Sequence, residues 1–298
     1  VKILSVVGAA LFRRVGRWPQ TRRVALSKFV AWLVRPFVQK RRNVARVNLK
    51  KCFPAWSDVQ IEQTIDLHLT YFSQSFFDRA LFWFGSKTAI AQQVRLIDEG
   101  FWHAAVATGR PIIILAPHFV GLDVGGSRLN LLTDLSSIYQ RQSNAVFDAL
   151  FREGRAGMGK TYLFSRQEGV RGLVKLMKNK VPMYCLPDMD FGLNGAIFAP
   201  FFGVSAATLT VLPKLSKLTN AIILPCVTRL DGVALARGET LYNAQFYAPW
   251  ENYPCDDEAL CVQLMNEFIQ ARILEEPAQY LWLHKRFKTR PQGEASFY

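Results

Sequence analysis

No aspartate or glutamate occurs in the first 57 residues, although 14 lysines and arginines do. The other 23 basic residues balance all 23 acidic ones, so the formal net charge of +14 belongs to this opening segment. The five cysteines, Cys52, Cys185, Cys226, Cys255 and Cys261, show no CxxC spacing and no histidine at ligand spacing. That argues against a structural zinc or a disulfide framework and suits a globular part facing a reducing compartment. There is no GxGxxG or Walker sequence, so no nucleotide or redox cofactor is expected, and no metal. Long apolar runs are also missing. Residues 3–12 are uncharged but about half the length that crosses a bilayer. Residues 191–213 are uncharged too, but Gly192, Gly195, Pro200, Gly203 and Pro213 interrupt them, and the stretch reads as loops lining a site. The chain starts at Val1 rather than Met, which leaves open an anchor upstream. No repeat or low-complexity linker divides it.

In the opening segment the charges alternate with apolar runs (3–12 and 29–34) and with Trp18, Trp32, Phe37 and Phe53. Nucleic acid, an organelle transit sequence and a merely solvated basic face are alternatives, but interleaved apolar and basic residues fit an interfacial amphipathic segment best. The expected organisation is therefore a membrane-associating arm over residues 1–56 and one domain over 57–298. In the domain, Ser57 caps a helix running to about residue 84, with Ile61, Ile65, Leu69, Phe72 and Phe76 at helical spacing. Strands are expected at 112–116, 135–139, 161–164, 181–186, 222–227 and 241–246. Helices are expected at 145–152, 170–178, 208–217 and 256–274. The alternation predicts an α/β fold, a mixed central sheet flanked by helices.

One segment carries a candidate base. Residues 111–123, PIIILAPHFVGLD, take a buried strand to its carboxyl end and place His118 there, the edge at which sites form in open α/β sheets. His118 and Asp123 are five residues apart, about 140° around a straight helix, so they can meet only if His118 lies in the turn and Asp123 in the following helix. The carboxylate would then hold one ring nitrogen and leave the other free to take a proton from an alcohol. With four histidines in the chain this spacing alone is weak, and a capping histidine beside a surface aspartate is the plain alternative.

The strand with His118-x4-Asp123 resembles the HxxxxD/E block of glycerolipid and lipid A acyltransferases. Residues 187–192, PDMDFG, continuing through Val204 and Thr208, and the tail 280–291, YLWLHKRFKTRP, are similar to later blocks of the late lauroyl and myristoyl acyltransferases of lipid A biosynthesis. The similarity runs from about Arg41 to Tyr298, and the tail block is its most specific part. Many members have Glu where this chain has Asp123, which shortens the reach to His118 by one methylene.

The resemblance implies a glycerolipid-acyltransferase-like fold and acyl transfer from acyl carrier protein to a hydroxyl of a lipid A precursor. It also implies work at the cytoplasmic face of the bacterial inner membrane, against its anionic surface and without nucleic acid. His118 and Asp123 would be the catalytic pair. Arg155, in Glu153-Gly154-Arg155, falls where the family has a functional arginine, suited by its planar fork to a phosphate or a developing oxyanion; otherwise it is a helix-end cation. Arg141, Arg166, Asp188 and Asp190 are the further substrate-binding candidates. Asp188 and Asp190 also form a DxD pair, as in metal-dependent glycosyltransferases, though Pro187 and Phe191-Gly192 fit the acyltransferase block better. His284, among Lys285, Arg286 and Lys288, suits a structural or headgroup contact rather than a base. No cysteine has a local histidine partner, which favours direct attack on the thioester over an acyl-enzyme. A lysophospholipid or a phosphatidylinositol glycolipid is the alternative acceptor, and the tail block favours lipid A.

Overall fold

The computed structural model describes residues 2–156, 159–165 and 168–298, with side-chain surroundings from Ser5 onward. The chain opens with three helices, α1 (Lys2–Val15), α2 (Gln20–Val34) and α3 (Gln39–Cys52), with a 3-10 turn, Arg35–Val38, before α3. All three lie on α4 (Asp58–Phe84). A capping box starts α4: the Ser57 hydroxyl accepts from the Gln60 amide while the Ser57 amide donates to Gln60 Oε1 at 2.9 Å. Then come α5 (Lys87–Gln93), β1 (Val94–Ile97), α6 (Gly100–Ala107), β2 (Ile112–Leu115), α7 (Leu122–Leu129), β3 (Leu135–Tyr139), α8 (Ala145–Ala156), β4 (Thr161–Ser165), α9 (Arg171–Lys178) and β5 (Met183–Cys185). A hairpin, β6 (Ala196–Phe201) and β7 (Val204–Leu209), precedes α10 (Val211–Thr219), β8 (Ile222–Leu230), α11 (Gly232–Ala236), β9 (Tyr242–Phe246) and α12 (Glu258–Glu275).

Seven strands make one mixed sheet in the order β1-β9-β8-β2-β5-β3-β4. β8, β2, β5, β3 and β4 run parallel, while β9 is antiparallel to β8 and β1 is parallel to β9. β2 is buried on both faces, as a central parallel strand must be. Ile113 and Leu115 pack with residues of α9, α10 and α12, and Ile112 and Ile114 with the opposite layer around α6 and α7.

The expected mixed α/β sheet is present, and three local expectations are corrected. The 191–213 stretch is not a set of loops: twelve of its residues form the β6/β7 hairpin, turned at Phe202 and Gly203, both with positive φ (51° and 73°). A two-residue turn with both residues left-handed matches the twist of its strands. Thr208 therefore belongs to a strand, and the helix expected from it starts at Val211. β1, too short and mixed to announce itself, was not anticipated.

The basic arm is docked on the rest of the molecule. Six of its bases make ion pairs with acids outside it: Arg13 with Glu153, Arg23 with Asp78, Arg35 with Asp66, Arg42 with Glu62 and Asp66, Arg46 with Glu62 and Lys50 with Asp58. α2 has an inverted polarity. Arg23 and Ser27 face inward, onto Asp78 and Gln74 of α4, while Phe29, Trp32 and Leu33, followed by Phe37, face outward. Among the described residues no helix is long and apolar enough to cross a membrane.

Candidate active site

His118 and Asp188 are 70 residues apart in the chain but sit at the carboxyl ends of adjacent parallel strands, β2 and β5. Where the strands end, the Ala116 amide still donates to the Cys185 carbonyl at 2.9 Å, so the two loops leave the same edge side by side. His118 Nδ1 lies 2.7 Å from Asp188 Oδ1, and the His118 amide donates to Oδ2 at 2.9 Å. Asp188 is fully buried. Burial acts to raise its carboxyl, but the His118 charge, the bonds from His118 and the charge of Arg286 outweigh it and hold the group below the usual carboxylate range. In the neutral ring, a carboxylate on Nδ1 selects the tautomer with the proton there, and Nε2 is then the nitrogen able to accept one. Nε2 has no hydrogen-bond partner among the described residues, and the side chain is 17 % exposed.

The tail block holds this arrangement. The Leu281 amide donates to the His118 carbonyl at 2.9 Å, and the Val120 amide to the Gln279 carbonyl at 2.8 Å. Arg286, buried, donates to the Ala207 carbonyl and to Thr208 Oγ1, both at 2.9 Å. Asp190 accepts from the amides of Gly192 (2.9 Å) and Thr289 (2.6 Å) and from Thr289 Oγ1 (2.8 Å), pinning the loop after β5 to the tail.

The expected bond between His118 and Asp123 is not the one the structure contains. Asp123 lies in the first turn of α7 and is taken by two arginines: Arg155 Nε and Nη2 both approach Oδ1 at 2.9 Å, and Arg79 Nε is 3.0 Å from Oδ2. Burial works to raise the Asp123 carboxyl, and Arg155 first, then Arg79, hold it below the usual range. Two glycines bring α7 close to β8. A Cβ at Gly121 would lie 2.7 Å from the Thr228 carbonyl oxygen, and one at Gly125 2.1 Å from Thr228 Oγ1. A pocket between α7 and β3, β4 and β5 has Asp123 and Arg155 in its wall, with Leu122, Leu135, Leu163 and Leu186 supplying apolar surface.

The remaining candidates divide. Asp188 and Asp190, expected at substrate, both bond to protein groups: Asp188 to the His118 ring and amide, and Asp190 to Gly192 and Thr289. Arg141 is exposed in the loop after β3, on the same carboxyl edge as His118. Arg166 lies outside the described residues. His284 is near enough that the His118 charge acts on it; burial first, and that charge second, push its imidazole down. Two participants went unnoticed in the sequence. Asp188 as the partner of His118 has no local signal, because strand adjacency creates it, and Arg79 was one more cation on a long helix.

The sequence profile of a family described as bacterial lipid A biosynthesis acyltransferase matches residues 1–289. The lipid A biosynthesis palmitoleoyltransferase of Escherichia coli K12 is 29 % identical over 274 residues, 92 % of this chain and 87 % of that one. The lauroyltransferase of the same organism is 28 % identical over 88 % and 84 % of the two chains. A lipid A biosynthesis acyltransferase of Haemophilus influenzae is 30 % identical over 86 % and 78 %.

Proposed function

The chain belongs to the bacterial lipid A biosynthesis acyltransferases, and from that premise we propose that it moves a fatty acyl chain from acyl carrier protein to a hydroxyl of a lipid A precursor, with His118 as general base and Asp188 orienting it. The observation that carries this reading is the buried Asp188 on His118 Nδ1, with Nε2 left unpartnered among the described residues. Nε2 takes the proton of the acceptor hydroxyl as its oxygen attacks the thioester carbonyl. The tetrahedral oxyanion collapses to the ester, the carrier's sulfur leaves, and the imidazolium returns the proton to that sulfur. Arg155 offers a guanidinium to a lipid phosphate or to the oxyanion.

Attack on the thioester is direct in this reading. Burial pushes the thiols of Cys185 and Cys226 up to about 12 and that of Cys52 higher still, which leaves them almost no thiolate with which to form an acyl-enzyme.

The reading places the protein against the anionic face of the inner membrane, and the inverted α2 supports it. A helix that buries Arg23 and Ser27 and exposes Phe29, Trp32 and Leu33 is built for a neighbour more apolar than water. Exposed Lys28 and Lys40 flank that surface and match anionic lipid.

The test is product mass spectrometry of the purified protein, offered several acyl carrier thioesters with a lipid A precursor, a lysophospholipid or a phosphatidylinositol glycolipid. Acylated lipid A precursor is expected, and both His118→Ala and Asp188→Asn should lower turnover per folded molecule by roughly 10²–10⁴-fold. Near-normal turnover in either variant refutes the pair, and acylation of another acceptor alone refutes the lipid A assignment.

A further inference from the structure

Asp123 has more positive charge around it than a structural ion pair needs. Its side chain is 6 % exposed; Arg155, 30 % exposed, hydrogen-bonds one oxygen, and Arg79, 12 % exposed, lies against the other as an ion pair at 3.0 Å without a hydrogen bond from Nε. One carboxylate and two guanidiniums leave this site with one unit of positive charge. Among the described residues, neither Arg155 nor Arg79 has an ion pair with any acid other than Asp123. The packing enforces the arrangement. A Cβ at Gly154 would lie 2.4 Å from the Trp83 ring, so α8 rests directly on α4 there. This brings Arg155, the next residue of α8, and Arg79, one turn before Trp83 on α4, onto the same carboxylate. The Phe76 ring, 5.9 Å from the Arg79 guanidinium carbon, backs that side chain.

Without Arg79, Asp123 would neutralise Arg155 and keep a second negative oxygen without a cation beside it. With Arg79 that oxygen is occupied, and Arg155, the more exposed of the two cations, is left without a full counter-charge. We infer that Arg79 is a positioning residue that sets the charge of the site: by taking the second oxygen of Asp123 it frees Arg155 to hold a phosphate monoester of the acceptor lipid. This rests on the phosphate reading of Arg155.

The test is equilibrium binding of the full chain, in detergent micelles, to a bisphosphorylated acylated diglucosamine lipid and to the same lipid after phosphatase treatment, with inorganic phosphate as competitor. The wild type should prefer the phosphorylated lipid about tenfold or more, the scale of one charge-assisted contact. Arg79→Gln should lose most of that preference, and Arg79→Lys should keep most of it. The double variant Arg79→Gln/Asp123→Asn should regain it, because Arg155 is then again without a counter-charge; a merely structural arginine gives no such recovery. Competition by inorganic phosphate alone would show that the site reads the phosphate rather than the whole headgroup. Preference retained in full by Arg79→Gln, or a folded double variant no better than Arg79→Gln, overturns the inference while leaving the phosphate reading intact. If Arg79→Gln does not fold, a tenfold loss in Arg79→Lys overturns it instead. Absence of any preference in the wild type overturns the phosphate reading, and this inference with it.

Discussion

Asp78 and Arg79 are consecutive on α4 yet belong to two ionic clusters of opposite design. Asp78 is sealed: it has one arginine, Arg23 at 3.1 Å, with Gln74 and Tyr242 donating to its other oxygen at 3.0 and 2.8 Å, and neither partner of the ion pair is more than 2 % exposed. Arg79 belongs to a cluster with two cations on one acid and an open side at Arg155. The carboxyls respond differently. Burial raises Asp78 despite Arg23, whereas at Asp123 two guanidiniums overcome burial. One arginine does not outweigh complete desolvation here and two do, consistent with the cost of burying a charged pair. The sealed cluster fastens α2 to α4. The open one keeps charge in reserve for a ligand.

Variants can break this contrast. The largest effect is expected at the sealed cluster, where Asp78→Ala strands the Arg23 cation in the interior. It should cost about 3–5 kcal/mol and lower the melting temperature by roughly 10 °C, leaving turnover per folded molecule near normal. A stable Asp78→Ala variant with lost turnover would erase the distinction between the clusters. The open cluster should show the reverse. Arg155→Ala should lose less stability than Asp78→Ala, because its side chain is partly exposed and Arg79 still pairs Asp123, yet lose about 10²-fold in turnover or in lipid affinity. A fall in kcat assigns Arg155 to the oxyanion, and a rise in lipid KM alone to the headgroup. Arg155→Lys and Arg155→Ala both active at the wild-type level would leave Arg155 a helix-end cation. The smallest effect sharpens the role of the fastened arm: Trp32→Ser with Phe37→Ser, at sites 70 % and 83 % exposed, should weaken binding to anionic vesicles about tenfold and leave melting unchanged. Unchanged vesicle binding would remove the apolar half of the membrane argument, and insensitivity to salt the electrostatic half.

Much of this was legible in the chain, for reasons that are local. A β-branched run ending in a histidine announces a buried strand and a residue at its carboxyl edge, and His118 is there. The Ser57 capping box predicted the start of α4, and the tail block, the most specific part of the resemblance, proved to be the segment whose backbone holds His118. The β6/β7 hairpin was hidden because glycines and prolines that break a helix also make a tight turn.

Sequence alone determined the features that depend on composition and short-range spacing: the basic arm, the strand and helix rhythm, His118 at a strand end and the family resemblance. Only the tertiary structure decided which carboxylate serves which cation. Strand order places β5 beside β2, so Asp188 reaches His118 from 70 residues away, while Asp123, five residues from it, turns on α7 toward Arg79 and Arg155. Hydrogen bonds and ion pairs are decided by distances of a few ångströms in space, and separation along the chain does not measure these once a sheet has brought remote strands side by side.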